Sequence, residues 1–348
     1  MEKCDKRKLP LWVKVLICFI ITAAVTLTGI YVYIDHKLDL VGQLDNMEII
    51  PPEKEYFETD DYEKNETENE TETYNSYDTG SQPAVDYGFR PSDENMFEDQ
   101  DTINILLIGQ DRRPGETRAR SDSMMIGTIN KKENTLKLTS LMRDLYVQIP
   151  GYSDNRINAA YAFGGMKLLN TVIEKNFQIR IDGNVEVDFE RFEHIVNMIG
   201  GLDIYINDQE ANYLTIMGFE GLTQGMTHMD GSLALEYSRI RYIGNADYER
   251  TERQKKLIIT AYNKVKDLGL AKILELVDKA LPVLKTDLSH TEIIGYATSI
   301  VDMGVDNIET YRIPSEGTFT SAKIKGMYVL VPDLAANRTI LKDIILGK

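Results

Sequence analysis

The chain has 348 residues, 43% of them hydrophobic, and a formal net charge of −16. That length and apolar content are ample for a packed core, which excludes a wholly disordered protein. The charge does not exclude an anionic substrate, because it is concentrated: between Glu53 and Asp101 seventeen Asp or Glu stand against Lys54, Lys64 and Arg90, and the remainder is nearly neutral.

Residues 1–10 carry Lys3, Lys6, Arg7 and Lys8, and in residues 11–34 Lys14 is the only charge. At 1.5 Å per residue, Val15 to Ile34 can cross a hydrocarbon layer of about 30 Å, which predicts a transmembrane helix over 11–34. The preceding positive charges predict a single-pass cell-membrane protein with a cytoplasmic tail over 1–10 and everything after the span outside. No small-x-small cleavage pattern ends the apolar run, so an uncleaved signal-anchor is expected. The only cysteines, Cys4 and Cys18, precede the end of the span and cannot staple the outer part.

Residues 35–101 are rich in Glu, Asp, Asn, Thr, Tyr and Ser, with near-repeats such as Asn65-Glu66-Thr67 and Asn69-Glu70-Thr71. This composition predicts an acidic disordered linker, a flexible coil with an end-to-end distance on the order of 45 Å. From Thr102 to Lys348 a single α/β domain is expected, with a mixed central sheet flanked by helices. Strands are predicted at 103–108, 124–129 and 135–141, the last two joined by a turn at 130–134. Helices are predicted at 157–177 and 188–199, followed by Gly200-Gly201 and a strand at 202–206. Asp230 is a plausible N-cap for a helix through Tyr237, and Asp247 for a longer one whose face holds Arg250, Gln254, Leu257 and Ala261. Helices near 291–303 and 333–345 and a strand near 308–313 complete the domain.

Arginines and aspartates fall into clusters: Asp111, Arg112 and Arg113 with Arg120 and Asp122, then Arg143 and Asp144, then Arg239, Arg241, Asp247, Arg250, Arg253 and Gln254. Guanidinium forks suit phosphate oxygens, and two carboxylates can hold a hard divalent cation against the same oxygens. Strand direction brings the first groups together. If 103–108 runs up, the next strand runs down and 135–141 returns up, so Asp111, Asp122 and Arg143 reach one rim of the sheet, the usual ligand edge of an open α/β sheet. In an extended segment Arg239 and Arg241 would point the same way. Singly, each arginine is equally well explained as a surface partner of Glu236, Glu249 or Glu252. His36, His194, His228 and His290 form no HExxH or close pair, and there is no GxSxG elbow and no phosphate loop. Gly164-Gly165 suggests close packing or a helix break, and Tyr161, Phe163, Leu168, Leu169, Phe177 and Phe192 are expected in the core.

These clusters, behind an N-terminal anchor, resemble the LytR-CpsA-Psr (LCP) family of bacterial, chiefly Gram-positive, envelope proteins. The resemblance rests on Asn104 to Asp111, Arg120 to Met125, Arg143-Asp144, Arg156 to Tyr161, Gly200 to Asp203 and Arg239 to Gln254. It implies a phosphotransferase that moves a glycopolymer, such as teichoic acid or a capsule polysaccharide, from a polyprenyl-pyrophosphate carrier to peptidoglycan, leaving a phosphodiester. It also implies an apolar tunnel for the prenyl tail and a magnesium ion. Carried over by position, Asp111 and Asp122 would hold Mg2+. Arg113, Arg120, Arg143, Arg239, Arg241, Arg250, Arg253 and Gln254 would bind the pyrophosphate, with Asp122, Arg143, Arg239 and Arg241 catalytic. Two positions depart from the family pattern: Met142 stands where proline is common, and Arg112 where a small polar residue is usual. Asp144 and Asp247 are candidates for the base. The alternatives are a polyprenyl-pyrophosphate hydrolase, or a membrane-bound regulator acting indirectly, since about ten residues before the span are too few for a DNA-binding fold and no nucleic-acid partner is expected.

Overall fold

The structure is a computed structural model that describes residues 97, 99–110, 121–244 and 246–348, with Asp122 and Ala246 described by backbone alone. The predicted span and most of the predicted linker lie outside the described residues. The strands in chain order are β1 (Thr102–Gln110), β2 (Ser121–Asn130), β3 (Thr135–Leu141), β4 (Tyr146–Val147), β5 (Asn155–Arg156), β6 (Gly183–Asp188), β7 (Leu202–Ile206), β8 (Gly225–Met229), β9 (Lys285–Thr286), β10 (Ile308–Ile313), β11 (Phe319–Ile324) and β12 (Met327–Pro332). The helices are α1 (Ile157–Phe177), α2 (Phe189–Met198), α3 (Asp208–Ile216), α4 (Gly231–Arg239), α5 (Ala246–Val265), α6 (Leu270–Ala280), α7 (His290–Met303) and α8 (Leu334–Leu346).

A six-stranded sheet orders as β10-β3-β2-β1-β6-β9. It is mixed: β1 runs parallel to β6 and β3 parallel to β10, while β2 is antiparallel to both β1 and β3. Gln110 therefore pairs with Ser121 on one side and Asp188 on the other, and Leu141 pairs with Ile313. Five strand ends thus share one rim, the edge expected from strand direction alone.

One face of the sheet is tightly covered. Leu106, Ile108, Met124 and Ile126 pack against Leu169, Val172, Ile173 and Phe177 of α1 and Leu341 and Ile345 of α8. The two expected helix-breaking glycines give α1 non-helical dihedrals at Gly164 and Gly165. A second core joins the β7–β8 hairpin to α3, α4 and α5 through Ile204, Leu214, Met229, Leu233 and Leu257. The strands at 225–229 and 319–332 and the helices at 208–216 and 270–280 add to the predicted elements. For α3 a readable signal existed, since Asn207 and Glu210 form a capping box.

Asp230 caps α4 as expected, accepting from the Leu233 amide. Asp247 is a correction: α5 starts at Ala246, so this residue sits in the first turn, and its side chain is bound by arginines from other segments instead of capping its own helix. α2 and α4 meet at Gly231, where an added Cβ would stand 2.3 Å from the Glu193 carbonyl oxygen. Because that obstacle is backbone, Gly231→Ala is expected to lower stability by about 1–3 kcal/mol, read as a reduced denaturant midpoint.

Candidate active site

The turn after β3 presents Arg143. The Met142 amide donates to the Ile313 carbonyl at 2.9 Å, so this chain uses an N–H that a proline at this position would lack. Both Nε and Nη2 of Arg143 donate to Oδ2 of Asp247, at 2.9 and 2.8 Å. On Oδ1 of the same carboxylate converge Arg250 Nη2 at 3.2 Å and Arg241 Nε at 3.8 Å. Burial alone would raise the Asp247 pKa, but the charges of Arg143, Arg250 and Arg241 and the Arg143 hydrogen bond outweigh it and hold the carboxyl below its usual range.

Asp144 extends the network, lying 3.6 Å from Arg143 Nε and 3.3 Å from Arg156 Nε. Arg156 Nε also donates to the Tyr328 carbonyl at 3.1 Å, which ties β5 to β12. Arg156 was absent from the expected binding set, although it lies within the stretches that carried the resemblance. In these connected pairs four guanidiniums meet two carboxylates, an excess suited to a polyanion.

Exposure divides the arginines. The side chains of Arg239, Arg241 and Arg143 are 46%, 37% and 21% exposed, whereas Arg156, Arg250 and Arg253 are 5% or less. Arg253 donates to Glu210 at 2.7 Å, to the Ile240 carbonyl at 3.1 Å and to Glu249 at 3.1 Å. All three of its nitrogens thus meet protein oxygens, which makes it a brace for the segment carrying Arg239 and Arg241. Gln254 braces the same segment by donating to the Ser238 carbonyl at 3.4 Å. Arg239 ends α4, lies 4.8 Å over the Phe189 ring and 3.6 Å from Glu236. The two neighbouring arginines therefore have different partners, separated by the buried Ile240.

At the end of β1, Gln110 Nε2 donates to the Tyr161 hydroxyl, which donates to Glu186 at 2.7 Å. All three are buried, and this chain fixes β1, β6 and α1 together behind the rim. Asp111, Arg112, Arg113 and Arg120 lie outside the described residues. Asp122 is placed by its backbone: Gly109 pairs with Ser123 but Gln110 with Ser121, so residue 122 is the extra residue of a β-bulge. Bulges re-aim a strand and are common beside active sites. Among the described residues no group of three or more His, Cys, Asp or Glu could hold a metal ion.

The second face of the sheet is loosely covered. Ile105 and Leu107 are only half-buried, although Leu106 and Ile108, which alternate with them along the strand, are buried. Over this face Ile105 joins a cluster with Tyr262 of α5 and Tyr296 and Ile300 of α7. Helix α6 has an apolar stripe at Leu270, Ile273, Leu274 and Val277, yet neither α6 nor α7 fully buries a single residue. An apolar layer of this length that remains part-open can accept further apolar surface.

Comparison with known proteins decides the relationship. Residues 57–343 match the model of the LytR_cpsA_psr family. The chain belongs to that family. It is 32% identical over 236 residues, 67% of this chain and 75% of the relative, to the polyisoprenyl-teichoic acid–peptidoglycan teichoic acid transferase TagU of Bacillus mycoides strain KBAB4. Among solved structures it resembles TagT bound to LI-WTA, with 27% identity, a TM-score of 0.60, and coverage of 77% of this chain and 100% of that one. It also resembles the LytR-CPS2A-psr family protein YwtF (TagT) with bound octaprenyl pyrophosphate lipid, with 26% identity, a TM-score of 0.57, and 77% and 100% coverage. The mixed α/β sheet flanked by helices in this LytR_cpsA_psr chain agrees with those structures.

A carboxyl whose pKa is lowered on folding contributes stability that is present above the ordinary carboxylate range and lost as pH falls through the lowered value. Asp247→Asn should therefore be less stable at neutral pH. As pH falls below about 4 its stability should drop less steeply than that of the parent, by at most roughly 1.4 kcal/mol per pH unit. Parallel denaturation series for the two proteins measure this, and identical slopes would remove Asp247 as an ionised hub.

Proposed function

We propose that this chain transfers a glycopolymer from a polyprenyl-pyrophosphate carrier to peptidoglycan through a phosphodiester bond, at the outer face of the cell membrane. The observation that carries this reading is the set of guanidiniums gathered around Asp247 at one rim of a sheet whose second face bears a part-open apolar layer. A charged headgroup and a long apolar tail need those two surfaces on one domain. The related YwtF (TagT) structure names a ligand of this kind, an octaprenyl pyrophosphate lipid. The apolar run at residues 11–34, behind Lys3, Lys6, Arg7 and Lys8, would hold the domain at the membrane where such a carrier resides, with residues 35–101 as a spacer.

Phosphoryl transfer depends on charge neutralisation and in-line placement more than on a protein nucleophile. In this reaction an acceptor sugar hydroxyl attacks the phosphorus that bears the glycopolymer. A new P–O bond forms, the bond to the bridging oxygen breaks with its electron pair leaving on the polyprenyl phosphate, and the hydroxyl proton passes to solvent water. Arg143, Arg239 and Arg241, the accessible members, would contact the phosphate oxygens and stabilise charge on the leaving group. Arg250 and Arg156 hold that set from behind, while Arg253 and Gln254 fix the segment between α4 and α5. Arg113 and Arg120 would complete the cradle. Asp247 is a weak base because its pKa is lowered, so it positions guanidiniums instead of accepting the hydroxyl proton. Asp111 and Asp122 would hold Mg2+, and the bulge at residue 122 suits such a role by setting that residue off the strand ladder. The ion would neutralise pyrophosphate charge.

Arg241→Ala and Asp122→Ala are each expected to reduce transfer at least 100-fold while the far-UV spectrum and melting temperature stay close to those of the parent. Chelation with EDTA should stop transfer, and added Mg2+ should restore it. Full transfer by both folded variants would dismiss this site.

A further inference from the structure

Beside the guanidinium cluster lies a second feature that the pyrophosphate chemistry does not use. A surface cleft of about 270 Å³ is lined by Glu252 and Lys255 of α5 and by Thr310, Tyr311, Arg312, Ser315 and Glu316 at the end of β10. Its position follows from the sheet. β10 is the edge strand next to β3, with Arg312 opposite Ser140 and Ile313 opposite Leu141, so the cleft opens at the same rim as Arg143. Tyr248, Glu252 and Lys255 recur at helical spacing on one face of α5. Tyr248 directly follows Asp247, and the Arg312 guanidinium lies 4.3 Å over its ring. One side chain therefore separates the cleft from the arginine hub.

The lining differs in kind from the hub. Cations and anions balance, Lys255 and Arg312 against Glu252 and Glu316, and they pair within the cleft at 2.7 and 3.1 Å. Three hydroxyl side chains, Thr310, Tyr311 and Ser315, add both donors and acceptors. The Tyr311 hydroxyl donates to Glu309 at 2.6 Å, which pushes its pKa up to about 12 and keeps the phenol oxygen neutral and able to accept. Arg312 Nε is buried and has no hydrogen-bond partner among the described residues. The Arg312 side chain as a whole is 24% exposed, which leaves part of it within reach of a ligand. A charge-balanced surface dense in donors and acceptors gives no advantage to a polyanion, but it matches a hydroxyl-rich, uncharged ring. The volume is on the scale of one such ring and below that of most drug-sized sites.

We infer that this cleft is the acceptor subsite, receiving a sugar unit of the peptidoglycan glycan and delivering its hydroxyl to the phosphorus held by Arg143 and Arg241. This assignment presupposes the transfer reaction proposed above. Arg312 acts there as a binding residue for the acceptor, with Tyr248 coupling the two sites.

The test uses the full chain in detergent, a polyprenyl-pyrophosphate-linked saccharide as donor and soluble uncrosslinked peptidoglycan oligosaccharides as acceptor. Two variants are compared with the parent: Arg312→Ala, and Thr310→Trp, which fills the cleft from an exposed position without touching the Arg312–Tyr248 contact. Both should raise KM for the acceptor at least tenfold while KM for the donor changes less than twofold and the melting temperature of Thr310→Trp is unchanged. In the absence of donor, the acceptor oligosaccharide should bind the parent and lose binding to Thr310→Trp. Unchanged acceptor KM and binding in a folded Thr310→Trp protein would overturn the assignment. A rise in donor KM of the same size would overturn it too, by making the cleft part of the donor site. Absence of transfer by the parent, with oligosaccharide binding intact, would instead reject the transfer reaction and leave the saccharide cleft standing.

Discussion

Around the carboxylate of Asp247 three like-charged guanidiniums are brought within 4 Å of one group, from the turn after β3, the link between α4 and α5, and α5 itself. Without a central anion those charges would repel one another across a partly dehydrated space, where Coulomb energies exceed their values in water. With it, each gains a charge-assisted contact and a defined direction, and the carboxyl stays ionised to lower pH than an ordinary aspartate. The sheet rim, the hairpin core below α4 and the first turn of α5 are all positioned by that convergence.

The arginines do not act alike. Those buried behind the hub are tied to backbone carbonyls or to Glu210 and Asp144, and they hold elements in place. Those nearer solvent keep edges through which a ligand oxygen can be met. Removal of a buried brace would disturb the accessible arginines indirectly, because Arg253 and Gln254 contact the Ser238–Ile240 backbone on which Arg239 and Arg241 hang.

Packing divides the two faces of the sheet as sharply as charge divides the arginines. The face under α1 and α8 is filled to the density of an ordinary interior, with Leu106, Leu169, Ile173 and Leu341 wholly buried. The face under Tyr262 of α5 and under α7 is apolar but less completely covered, with Ile105 and Leu107 half-buried and no residue of α7 buried completely. Under the proposed reaction such an asymmetry lets one face supply the stability and leaves the other adaptable.

Much of this was legible in the residues. The apolar run at 103–108, the strand pattern at 135–141, the turn between 130 and 134 and the cap at Asp230 fix local structure through short-range sterics and hydrogen bonds, and strand direction alone carries Arg143 and the start of β2 to one rim. Local rules failed at Asp247, a good N-cap by type, because its oxygens are taken by Arg143 and Arg241 from other segments and by Arg250 one turn on in the same helix. They failed again at Arg253 and Gln254, which share a helix face with Arg250 but meet protein groups contributed by α3 and the end of α4. The sequence by itself determined most of the central strands, the long helices and the stock of arginines and aspartates near one rim. Only the tertiary structure decided which of those charges face a ligand and which are spent inside the protein, since that choice depends on partners many residues away, brought close by packing.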